Sequence, residues 1–180
     1  ENLPGPDTRI AAVIGDPVSH SLSPRLHNAA FAALELDWMY VACHVPEGQG
    51  ANAVEDMRTL GFKGLSVTMP HKAAVASAVD SLSATAAKLG VVNCVRVEDD
   101  RLIGENTDGI GLLNSIRAQM EVEVEDLRVV IVGAGGAARS VALTMVESGS
   151  TVGIYNRTNS SAVQVVEIVG GTSSVVQQNA

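Results

Sequence analysis

Short β-branched runs alternate with longer segments of helical spacing along almost the whole chain, and this alternation restricts the fold more than any other feature. Ile10–Ile14, Trp38–His44 and Leu65–Thr68 read as strands. One helix opens at Pro24, the favoured first helical position, with Ser23 before it as a cap, and another occupies Ala53–Leu60. Two short helices end near Gly90, a residue suited to a C-terminal cap. Val91–Val97 and Leu102–Gly104 then form a hairpin across Glu98, Asp99 and Asp100. A helix from Asp108 to Met120 runs into the acidic stretch Glu121–Asp126. Beyond it come a strand Arg128–Val132, a glycine turn, a helix to Ser148, a strand Thr151–Tyr155, a helix Ser160–Val169 and a strand start near Thr172. The class is therefore α/β, with residues 1–120 expected as one domain and 121–180 as the beginning of a second.

Charge and composition narrow the partners. The formal net charge is -8 with no basic run, which argues against nucleic acid or an anionic membrane. No stretch approaches the roughly 20 apolar residues of a membrane span, and Glu1–Arg9 lacks the order of a signal peptide, so a cytoplasmic protein is expected. Cys43 and Cys94 show no CxxC spacing and read as buried free thiols, and no metal site is expected.

The run Val129–Val132 enters Gly133-Ala134-Gly135-Gly136-Ala137-Ala138, a GxGxxG/A turn between a strand and a helix. Gly133 permits the tight turn, Gly135 the approach of a pyrophosphate and Ala138 the packing of helix on strand, while Gly136 and Ala137 open the helix whose N-terminus faces the phosphates. Glycine also serves ordinary connections, so the flanking strand, helix and second strand decide in favour of a dinucleotide. That second strand ends in Asn156-Arg157-Thr158, with no carboxylate for a ribose hydroxyl. Arg157 can pair with a 2′-phosphate and Thr158 can donate to it, which favours NADP over NAD. A doubly wound fold needs about twice this many strands on its cofactor side, so the chain is expected to stop within that domain.

Four polar motifs sit at element junctions: Ser19-His-Ser-Leu-Ser-Pro24, Ser66-Val-Thr-Met-Pro-His-Lys72, Val92-Asn93-Cys94 and Glu105-Asn-Thr-Asp108. Singly they could be caps and turns. Together they suit reduction of a ketone, where charge grows on oxygen: the Lys72 ammonium can stabilise it and supply the proton, and Asp108 can hold the lysine and bond a substrate hydroxyl. His20, His27, His44 and His71 read as structural or solvated.

These motifs resemble those of the shikimate dehydrogenases, which carry SxSP, NVTxPxK, AVNT, NTDG, GAGGA and NRT segments in this order; the resemblance runs from Gly15 to about Thr158. It implies an N-terminal α/β substrate-binding domain followed by a Rossmann-like NADP-binding domain, and reduction of 3-dehydroshikimate to shikimate in aromatic amino-acid (chorismate) biosynthesis. It further implies a catalytic pair Lys72 and Asp108, with Ser21 and Ser23 on the substrate carboxylate, Thr68 on a ring hydroxyl and Asn93 on another. Ser66, Cys94 and His71 depart from the family pattern, as do Ser160 and Ser161 after the NRT segment. Quinate is therefore an alternative substrate, and a catalytically silent binding module or a different NADP enzyme an alternative function. Family members continue further, so this chain is expected to be C-terminally incomplete. An unpaired sheet edge would favour self-association, and a homodimer is expected.

Overall fold

A computed structural model describes residues 4–120, 122–125 and 127–176. The chain divides into two compact units, Glu1–Glu105 and Asn106–Ala180. The division falls ahead of the helix that begins at Asp108, whereas the sequence pattern put the boundary within that helix or in the acidic stretch behind it. Glu121 and Asp126 of the acidic stretch lie outside the described residues.

The first unit runs β1 (Arg9–Gly15), α1 (Ser23–Ala33), β2 (Trp38–His44), α2 (Gly50–Thr59), β3 (Gly64–Val67), α3 (Lys72–Ala76), β4 (Ser81–Leu82), α4 (Ala84–Leu89), β5 (Cys94–Glu98) and β6 (Arg101–Glu105). Its strands form one sheet in the order β2-β1-β3-β5-β6-β4. β1 pairs in parallel with both β2 and β3, and β4 with β6, while β3 with β5 and the β5–β6 hairpin are antiparallel. Asp99 and Asp100 both take left-handed φ (49° and 58°), as the tight hairpin turn demands. β1 is buried on both faces. Ala12 and Ile14 join Leu65, Val67, Val54, Val75, Val95 and Leu102 in the larger core, and Ala11 and Val13 join Val18 and Tyr40 in a smaller one, against which Phe31 and Trp38 pack.

Local departures from the sequence pattern have backbone causes. The strand expected from Val91 begins at Cys94, because the Val92 N–H is spent on the Lys72 carbonyl (2.9 Å) ahead of the regular ladder. Ser23 is not the cap of α1 but its first helical residue, and Ser21 Oγ accepts the Ser23 N–H instead (3.3 Å). β4, two residues long, is too short to show a period. Gly90 does close α4, in left-handed conformation, with its N–H on the Ala86 carbonyl.

The second unit contains α5 (Asp108–Met120), β7 (Arg128–Val132), α6 (Gly136–Glu147), β8 (Thr151–Tyr155), α7 (Asn159–Val169) and β9 (Ser173–Val175). Its three strands are parallel in the order β7-β8-β9, a Rossmann-like arrangement. Among the described residues, no helix is long and apolar enough to cross a membrane.

Candidate active site

Three segments of the first unit meet at the C-terminal ends of the parallel strands β1 and β3, the end at which open α/β sheets take ligands. Backbone hydrogen bonds fix them to one another. The Thr68 N–H donates to the Ile14 carbonyl (3.0 Å) and the Asp16 N–H to that of Met69 (3.1 Å). The Val67 N–H donates to the Asn93 carbonyl (2.7 Å), and the Val92 N–H to that of Lys72 (2.9 Å). Thr68, Lys72 and Asn93, all half-buried, thus stand on one continuous hydrogen-bonded frame. Gly15 is required there, since a Cβ on it would collide with the Thr68 methyl group. Ser21 and Ser23, also half-buried, lie on the loop and first helical residue that follow β1, with the Ser21 N–H on the Val18 carbonyl (3.0 Å).

Lys72 is the first residue of α3. Its neighbour His71 is buried, and its ring Nε2 donates to the Val45 carbonyl (2.8 Å). A Cβ on Gly50 would meet His71 Cβ at 2.9 Å, so the imidazole is wedged between the start of α2 and α3 and serves as packing. Asp16 accepts from His44 Nε2 (3.0 Å) and from the Glu47 N–H (3.2 Å), and the His44 bond foremost holds its carboxyl below the usual range. Cys43 and Cys94 are free, half-buried thiols.

Asp108 opens α5 in the second unit, so the two residues read as a catalytic pair belong to different units. The buried Asn106 positions it locally: its Oδ1 accepts the Asp108 N–H (3.3 Å). Gly109 lets α5 approach α6, because a Cβ there would strike the Ser140 carbonyl and Thr144.

The glycine turn has the form a pyrophosphate needs. Gly133 takes φ +126°, a conformation costly to other residues, and a Cβ on Gly135 would meet nothing within 4 Å. Gly135 is the N-cap of α6 with no side-chain capping bond, which leaves first-turn N–H groups for an anion. Arg139, in the first turn, went unnoticed in the sequence; its Nε is buried without a hydrogen-bond partner among the described residues, a donor that a bound anion would satisfy. The Gly133 N–H donates to the Tyr155 carbonyl (2.8 Å), joining the turn to the end of β8. There Asn156 Nδ2 donates to the Thr158 carbonyl (3.0 Å), and Arg157 is exposed. Gly136 and Ala137 begin α6 as expected. The residues present fit a dinucleotide.

A cavity of about 850 Å³ opens elsewhere in the first unit, between the end of α1 and the start of β2, and none of Ser21, Ser23, Thr68, Lys72 or Asn93 lines it.

The family description "Shikimate dehydrogenase substrate binding domain" matches residues 13–95, and "Shikimate / quinate 5-dehydrogenase" matches residues 116–179. The chain belongs to the shikimate dehydrogenase family. It is 44% identical over 173 residues to the shikimate dehydrogenase (NADP(+)) of Rubrobacter xylanophilus, covering 95% of this chain and 61% of that relative. The crystal structure of shikimate dehydrogenase from Aquifex aeolicus superposes with a TM-score of 0.90 at 34% identity, over 97% of this chain and 65% of that one. A Thermus thermophilus shikimate 5-dehydrogenase in complex with NADP(H) and shikimate does so with a TM-score of 0.84 at 35% identity, over 92% of this chain and 62% of that one. The chain thus spans about three fifths of the length of the curated relatives it matches.

Proposed function

We propose that this shikimate dehydrogenase family member catalyses the NADP-dependent reduction of 3-dehydroshikimate to shikimate in chorismate biosynthesis. The observation that carries the reading is the single backbone frame that supports Thr68, Lys72 and Asn93 at the ligand-binding ends of β1 and β3. The first unit binds the substrate: Ser21 and Ser23 hold its carboxylate, and Thr68 and Asn93 read its ring hydroxyls. NADPH, when bound, supplies the hydride to the carbonyl carbon. Lys72 delivers a proton to the carbonyl oxygen as charge develops there, and Asp108 orients the ammonium and accepts from the neighbouring hydroxyl.

The second unit takes the cofactor through Gly133, Gly135, Gly136 and Ala137 at the pyrophosphate and Asn156, Arg157 and Thr158 at the 2′-phosphate. The absence of a carboxylate at the end of β8 and the exposed Arg157 guanidinium support NADP over NAD. A cytoplasmic homodimer belongs to the same reading. No nucleic-acid partner is proposed, in keeping with the net charge of -8.

The test is shikimate-dependent reduction of NADP by the purified protein, with quinate and NAD as comparisons. Turnover of shikimate with NADP supports the reading. Turnover of none of the four pairs, with tight binding of shikimate retained, would establish a silent binding module instead.

A further inference from the structure

We propose that Tyr40 is a positioning residue that orients the Ser66 hydroxyl toward the substrate and tethers α1, which begins at Ser23, beside it. The inference rests on the function proposed above and assigns a specificity role to a residue outside the polar motifs. Tyr40 is buried in β2, an edge strand of the first sheet. On the open edge, Asn28 of α1 behaves like one more strand residue: its Nδ2 donates to the Tyr40 carbonyl (2.9 Å) and its Oδ1 accepts the Tyr40 N–H (2.8 Å). The His27 ring stacks on the Tyr40 ring, with centroids 4.2 Å apart and planes 13° from parallel. No residue of α1 is fully buried, so these contacts are a principal attachment of the helix that begins at Ser23.

The other end of Tyr40 reaches the site. Its ring passes over β1 on the Ala11–Val13 face, and its hydroxyl donates to Ser66 Oγ of β3 at 2.6 Å. Burial pushes the phenol up from its ordinary value, so it remains protonated and a donor. Side chains alternate along a strand, which puts Ser66 on the face of β3 shared with Thr68. Cys94, paired with Ser66 across the ladder, is likewise pushed up, by burial first and then by Glu105, and stays a neutral thiol. With one Ser66 lone pair filled by Tyr40, the serine proton is directed outward and Ser66 presents itself to a ligand as a donor. One tyrosine therefore sets both the polarity of the Ser66–Thr68 row and the seat of the Ser21–Ser23 turn.

Tyr40→Phe keeps the ring and its stacking and removes only the hydroxyl. The expected result is a five- to tenfold rise in KM for shikimate, on the order of one hydrogen bond, with kcat within about twofold and KM for NADP unchanged. Ser66→Ala should do the same, and the double variant should be no worse than either single one, because both remove one interaction. If Tyr40→Phe loses thermal stability, Ser66→Ala carries the test alone. An unchanged shikimate KM in Ser66→Ala, additive effects in the double variant, or an equal rise in KM for NADP would each overturn the inference while the proposed function stood. An unmutated protein with no shikimate turnover would instead overturn the function, and the inference with it.

Discussion

Replacing Gly109 by Ala should destabilise the second unit, while the same substitution two residues on, at Gly111, should stabilise it. Both glycines lie in the first turn of α5, and in an exposed helix Gly→Ala is worth about 0.5–1 kcal/mol in favour of the alanine. Gly111 is exposed, with nothing within 4 Å of an added Cβ, so that gain should appear undiminished. Gly109 is buried against α6. There the new methyl group would meet Thr144 Cβ at 2.9 Å and approach Thr144 Oγ1 and the Ser140 carbonyl still more closely. Rotation of Thr144 relieves one of these contacts, but the Ser140 carbonyl is helix backbone and can be cleared only by moving α5 away from α6. Overpacking of this kind costs about 1–3 kcal/mol, more than the propensity gain. The propensity gain is common to both, so the two variants should differ by about 1–3 kcal/mol, which at a slope of about 2 kcal/mol per molar urea separates their unfolding midpoints by about 0.5–1.5 M. Urea titration followed by circular dichroism reads this directly. Equal midpoints for the two variants would show that α5 and α6 are not in the close contact described, and that the seat of Asp108 has another origin.

Arg157→Ala should raise KM for NADP about tenfold and leave KM for NAD unchanged, since a charge-assisted bond to a 2′-phosphate is lost in one case and absent in the other; equal changes for both cofactors would contradict the assignment. Asp80 accepts from the Leu102 N–H (2.7 Å) and from Arg58, which together hold its carboxyl below the ordinary 3.8. A carboxyl depressed on folding stabilises the protein above its unfolded value, and that contribution is lost as pH falls below about 4 through the folded value. Asp80→Asn should thus have a lower urea midpoint at pH 7 and a shallower decline into acid than the unmutated protein, and parallel declines would refute the linkage.

How much of this was legible in the chain depended on where each residue's partner lies. β2 could be read to the residue, because a short apolar run rich in strand-favouring Trp38, Tyr40 and Val41 is bracketed by Asp37 and Pro46. The glycine turn was legible for the same reason, its strand and helix being contiguous with it. Val91–Asn93 could not be separated from β5 by pattern, since their hydrogen bonds go to Lys72 and Glu105, remote in sequence. Ser23 looked like a cap because Pro24 follows it; that the N-cap falls one residue earlier, on Leu22, with Ser21 Oγ accepting the Ser23 N–H, is a matter of loop geometry. Asn28 and His27 read as ordinary polar residues of a helix, and only the fold shows them gripping Tyr40. Arg139 and the Gly109 contact were invisible for a related reason: one depends on burial of a single nitrogen, the other on the approach of a second helix.

The most direct test of the central claim compares the purified protein with its Lys72→Ala variant in shikimate-dependent NADP reduction. The account predicts that kcat falls by about 10²–10⁴ in the variant, as for loss of a general acid, while shikimate binding measured by calorimetry persists. A variant that turns over shikimate within tenfold of the unmutated rate would contradict the role given to Lys72.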